Sequence, residues 1–125
     1  MAEDFQVYAI RFAHRDASVR GEHFYGHDPC ALDAWPISYY VGLPRRARRR
    51  RVHAGNVVLA ADASHFCENV EQEKPYGVLP SMYDAFDTLH ALASGPELIV
   101  PGHDPQVLQR FPAVPGLEGL AVRIA

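Results

Sequence analysis

Along the opening of the chain the apolar positions crowd together and partly alternate. Phe5-Gln6-Val7-Tyr8-Ala9-Ile10-Arg11-Phe12 is rich in aromatic and β-branched types and reads as a strand with one face buried. The pattern dissolves from Ala13 to Pro36 into His, Asp, Gly and Pro, with Gly21, Gly26 and Asp28-Pro29 as breakers, which predicts a long surface excursion. Strand chemistry returns at Ile37-Ser38-Tyr39-Tyr40-Val41-Gly42-Leu43 and is expected to stop at Pro44, which has no N–H to give to a ladder. Val52 to Ala61 is a buried-strand candidate, with Gly55-Asn56 as a turn or irregularity at its start. Glu68 to Leu79 is polar, contains Pro75 and Gly77, and reads as a surface loop.

Met82, Phe86, Leu89 and Ala93 then recur at spacings of four, three and four, one face of an amphipathic helix. Ser81 is available as its N-cap and Gly95-Pro96 as its stop. Glu97 to Val100 is a short apolar strand, so the segment from Val52 onward predicts a strand-loop-helix-strand unit of the kind that builds a parallel sheet. Beyond Val107, Pro112, Pro115 and Gly116 precede a last apolar segment, Leu120 to Ile124, to which the pattern assigns no element.

The totals narrow the class. At 125 residues and 48% hydrophobic content the chain suits one domain with a core. A formal charge of -3 argues against a general nucleic-acid or membrane-surface binder. Charge is concentrated instead in Arg45 to Arg51, six arginines in seven positions, which repel one another and add nothing to a core. Without interleaved aromatics the run is a weak nucleic-acid signal, and we expect no specific nucleic-acid partner. Cys30 and Cys67, in a chain with no signal-like apolar start, are read as free thiols of a cytoplasmic protein. No apolar run approaches the roughly 20 residues of a membrane-spanning helix.

Two residues capable of binding metal stand just past apolar strands. Asp62 follows Val57-Val58-Leu59-Ala60-Ala61, and His103 follows Ile99-Val100-Pro101-Gly102. Carboxylate oxygen and imidazole nitrogen are both ligands for a borderline cation such as zinc, and α/β proteins gather ligands at the carboxyl ends of strands. Read locally, Asp62 is equally a cap or Asx-turn residue and His103 a turn histidine. His65, three positions after Asp62, is a candidate catalytic residue, a general acid or hydrogen-bond donor for the same crevice, and is also explained as an exposed loop histidine. His23, His27 and His90 read as surface histidines, and Trp35, Tyr39 and Tyr40 as core aromatics.

The stretch from Val57 through Asp62-Ala63-Ser64-His65-Phe66, then Glu68-Asn69, Met82 and Ile99-Val100-Pro101-Gly102-His103-Asp104-Pro105 resembles the C-terminal part of N-acyl homoserine lactonases, in the metallo-β-lactamase fold superfamily. Val7 to His14 and Asp33 to Val41 resemble that family's N-terminal strands. The resemblance implies an α/β fold, a partial αββα sandwich forming one incomplete domain over residues 1–125. Its parts would be N-terminal strands over 1–43, an arginine-rich junction at 44–51 and a C-terminal β-α-β part over 52–125. It implies a zinc-dependent hydrolase that opens the lactone ring of N-acyl homoserine lactones, in which two metals acidify water and hold the carbonyl oxygen. Asp62 matches the carboxylate that bridges the two zincs, and His103 matches the last histidine ligand. His65 stands where many members of the family place a tyrosine that steadies the substrate carbonyl.

The family's central His-x-His-x-Asp-His motif occurs nowhere in this sequence. His14, His23 and His27 lie upstream of its place, and His53 lacks partners at the required spacing. Val41 to Val52 joins two regions that intact members separate by a long segment, so the arginine run marks a junction. Two ligands do not position zinc. The expectation is therefore an inactive chain without tightly bound zinc. The alternative is a non-catalytic module that self-associates through exposed strand edges.

Overall fold

Phe5–Arg15 forms β1 and pairs antiparallel with β2, Ile37–Arg46, in a computed structural model that describes residues 5–46, 55–76 and 81–125. β1 outruns its expected end at Phe12 because the register slips between Arg11 and Ala13 and the ladder then resumes, with Ala13, His14 and Arg15 opposite Tyr39, Ser38 and Ile37. Phe12 drops out of the ladder at this bulge and is exposed.

Pro44 does not end β2. It sits opposite Val7, and Arg45 and Arg46 continue the ladder opposite Gln6 and Phe5. A proline is tolerated there because β2 is an edge strand of a sheet ordered β2-β1-β5, so a missing N–H need cost no bond. The arginine run thus begins inside a strand; the rest of it, with Val52 and His53, lies outside the described residues. β5, Ala121–Arg123, closes the other side of β1 antiparallel, which gives the last apolar segment its role.

Val58–Ala61 (β3) and Ile99–Pro101 (β4) form a parallel pair, as the strand-loop-helix-strand pattern predicts. Between them in sequence come α1, Cys67–Glu71, and α2, Ser81–Leu92, with the helix residues Met82, Phe86 and Leu89 buried. Gly77 to Leu79 lie outside the described residues. Side chains on alternate faces of β3 and β4 divide the core. Ala60 and Ile99 meet Met82, Phe86 and Leu89 of α2, with Val58 packed against them. Val100 meets Ala9 and Val122 of the antiparallel sheet, together with Val107 of the short helix α3, Val107–Arg110. The architecture is mixed α/β: an antiparallel sheet, a parallel pair against it, and a helix on the outer side.

Two stretches read as loops are more ordered than their composition predicts. The expected loop from Glu68 opens instead on α1, because one local and one distant side chain cap it. The Asn69 side chain accepts from Phe66 N–H at 2.7 Å and donates to Lys74 O at 2.7 Å, while Asp104 Oδ2 accepts from Cys67 N–H at 2.9 Å. The excursion from Ala13 to Pro36 carries its own core, Phe24 packed with Ile37 and Phe66. Beside it Arg20 is nearly buried, donating to Asp28 at 2.5 Å and to both Glu68 oxygens at 2.8 and 2.6 Å, under the rings of Phe24 and Trp35. His23, expected at the surface, is buried with its Nε2 2.6 Å from Ser18 Oγ. Both cysteines are free.

Candidate metal centre

The site is built where β3 and β4 end. β3 leaves its ladder through Ala61, whose φ of 47° is left-handed, a conformation that costs an L-residue about 1–2 kcal/mol. That turn reverses the chain, Ala63 N–H bonding Ala60 O at 2.9 Å. The loop then zips to the end of β4: Gly102 N–H donates to Ser64 O at 2.8 Å, and His103 N–H to His65 O at 2.9 Å. Residue 102 must be glycine for this approach, since a Cβ there would lie 2.7 Å from the carbonyl carbon of Ala61. β2 completes the frame with Ser38 N–H on His103 O at 2.8 Å.

This backbone pairing brings Asp62, His65 and His103 together, with one ligand atom from each lying within 4.8 Å of the others. His103 Nε2 is 2.9 Å from Asp62 Oδ1, and His103 Nδ1 is 3.3 Å from the carbonyl oxygen of Ser38. With the proton on Nδ1 the ring donates to that carbonyl and turns its Nε2 lone pair toward the carboxylate, where a cation can sit; with the proton on Nε2 it donates to Asp62 instead. A histidine ligand anchored by its other nitrogen on a backbone carbonyl is the usual supporting arrangement at metal sites. The Asp62 side chain is 83% exposed and that of His103 16%, so the cluster opens to solvent on the carboxylate side.

His65 is held on several sides. Its ring stacks on Tyr76 with centroids 3.6 Å apart and planes 11° apart, and meets the His103 ring edge-on at 4.7 Å. The Tyr76 hydroxyl donates to the carbonyl oxygen of Asp62, so one tyrosine ties two members of the cluster. Burial, then the neighbouring His103 and His23, hold the His65 imidazole down to about 4, and its Nδ1 is buried with no hydrogen-bond partner among the described residues. The Tyr76 phenol is pushed up by burial, then by Asp62. Cys67, nearby in sequence, is no thiolate ligand: burial raises its thiol, and no pairing with Cys30 exists.

The chemistry of the donors decides which group they suit. One carboxylate and two imidazoles match a single borderline divalent ion, for which tetrahedral ligation at about 2.0–2.1 Å requires donors about 3.3–3.4 Å apart. To reach that, Asp62 and His103, 2.9 Å apart, must open slightly, and His65, within 4.8 Å of both, must close in. A two-metal centre needs more donors than three, and the other nearby histidines are engaged elsewhere: His14 with Ser38 Oγ and Asp16 at 2.9 and 2.8 Å, His23 with Ser18. His27 and His90 are exposed. Trp35 and Tyr39 pack against the Phe24 core, and Tyr40 against that of Val100.

Comparison of the chain with protein-family models, curated proteins and solved structures gives no match.

Proposed function

We propose that this chain carries a divalent-metal crevice of the metal-dependent hydrolase type, related to N-acyl homoserine lactonases, in which Asp62 and His103 are surviving zinc ligands and dinuclear lactone hydrolysis is lost. The observation that supports it best is the 2.9 Å approach of Asp62 Oδ1 to His103 Nε2, two residues 41 positions apart that face each other past adjacent parallel strands. The layered arrangement of sheet, strand pair and helix is compatible with half of an αββα sandwich. Zinc, when bound, would supply Lewis acidity; the residues of this chain would hold it, Asp62 from the solvent side and His103 from the Ser38 anchor.

Zinc titration of metal-free protein by calorimetry, paired with a pH-stat assay of lactone opening, tests the reading. We expect one zinc per chain, binding lost in Asp62→Ala and His103→Ala, and no turnover above buffer. Two tightly bound zincs, or robust turnover abolished by Asp62→Ala, would overturn it.

A second reading, self-association through a strand edge, is favoured by the position of β2 at the edge of its sheet with Val41 and Leu43 half exposed. Pro44 and Arg45 on the same strand blunt that edge, which places this reading second. A stable monomer in sedimentation would remove it.

A further inference from the structure

The geometry points to His65 as a third metal ligand, which makes Asp62, His65 and His103 a self-contained mononuclear site for a zinc-like cation. This inference rests on the metal-crevice reading and deepens it, because the lactonase resemblance puts a substrate-steadying tyrosine at position 65 and assigns that position no metal. Here the residue is an imidazole whose donor atom lies within 4.8 Å of the donor atoms of both other groups. Its place is set by structure that does not depend on a metal: the His65 carbonyl accepts from His103 N–H at 2.9 Å, and Tyr76 stacks on its ring 3.6 Å away while bonding the Asp62 carbonyl. A ring gripped in this way has little orientational freedom left to lose on coordination, which favours binding.

Among the described residues the set closes at three. His23, whose ring centroid is 6.0 Å from that of His65, is held by Ser18 Oγ at 2.6 Å, and His14 is held at both nitrogens. Three protein donors leave one coordination position open, so the site would accept water or a small anionic ligand there, where a structural zinc site has four protein donors. Tyr76 is then a positioning residue, acting on the metal only through His65 and Asp62.

The test is zinc titration of the full chain, followed by the ring nitrogen and carbon-bound proton resonances of the histidines in ¹⁵N-labelled protein, together with the zinc affinity of His65→Ala. One equivalent of zinc is expected to shift a His65 ring nitrogen in the same step as one of His103, leaving His14 and His90 in place. Loss of an outer partner of a metal ligand costs about 10–100-fold in affinity, so His65→Ala should cost at least about 100-fold. If zinc binds and shifts His103 while His65 stays unmoved, the inference fails and the Asp62–His103 reading stands. If zinc does not bind the unaltered chain, both fail. Should His65→Ala not fold, the resonances of the unaltered protein still decide.

Discussion

Replacing Gly102 by alanine strikes the contact on which the site is built. The added Cβ would lie 2.7 Å from the carbonyl carbon of Ala61 and 3.1 Å from its Cα, where ordinary contact begins at 3.4 Å. The obstacle is backbone, so no side chain can swing aside; the carbonyl oxygen of Ala61 is nearer still, and the end of β3 and the end of β4 must separate by about 1 Å to clear it. Forcing a methyl into packed structure costs about 1–3 kcal/mol. For a chain of 125 residues that corresponds to a fall in Tm of about 4–11 °C, from an unfolding entropy of about 2.1 cal/mol/K per residue. The displacement falls between the residues that precede Asp62 and His103, and it exceeds the tolerance of about 0.5 Å within which a binding constellation must be held. Zinc affinity should therefore fall by about tenfold or more in protein that is still folded at the temperature of measurement. Thermal and urea denaturation give the first quantity, calorimetric titration of the folded variant the second. A Gly102→Ala protein with stability within about 0.5 kcal/mol of the parent would refute the claim that close backbone approach dictates glycine here. An unchanged zinc affinity in a clearly destabilised variant would refute the coupling of that contact to the site.

Two further predictions concern the Arg20 network. Arg20→Met keeps the stem but leaves the Glu68 carboxylate, whose side chain is only 20% exposed, without its main partner, so urea denaturation should show a loss of about 2–4 kcal/mol. An effect below about 1 kcal/mol would mean that Lys74, 3.1 Å from Glu68, compensates. Hydrogen bonds from Arg20 hold the Glu68 carboxyl below its ordinary 4.5, against burial and with help from Lys74. Asp28 moves the same way, through the Cys30 N–H and then Arg20. Because the folded values are depressed, their stabilisation is complete above about pH 4.5 and declines as pH falls, the unfolded chain taking up protons first. The urea midpoint should fall in that range, and the slope should flatten in Arg20→Met; equal slopes would sink the assignment.

Local pattern carried much of this fold. Alternation in Phe5 to Phe12 and Ile37 to Leu43, the spacing of Met82, Phe86 and Leu89, and the apolar runs before Asp62 and His103 are all properties of short windows, and each marks an element, though β1 and β2 run past their expected ends and the strand expected from Val52 is, among the described residues, only Val58–Ala61. What the windows do not contain is partners from elsewhere in the chain. α1 reads as loop because its capping acceptor, Asp104, comes from 37 residues downstream of Cys67. Arg20 and His23 read as polar surface because Glu68 and Phe66, which pack against them, cannot be seen from their own neighbours in sequence. Pro44 reads as a stop because edge position is a property of the sheet.

The candidate site divides along the same line. Asp62 and His103 were readable as a pair since each ends an apolar strand, and parallel strands joined through a helix put such ends side by side. His65 reads as a crevice residue outside the ligand count, because sequence spacing of three positions says nothing about a turn at Ala61 that reverses the chain or a zipper that draws residue 65 onto residue 103. Counting donors by distance changes what the missing histidine motif excludes. Three donors are too few for two metals, and no others stand near the site among the described residues. They suffice for one, since a carboxylate and two imidazoles are as many protein donors as open mononuclear zinc sites use. A chain without donors for two metals near this site, among its described residues, can thus offer a site for one, provided that the loop pairing around Gly102 holds.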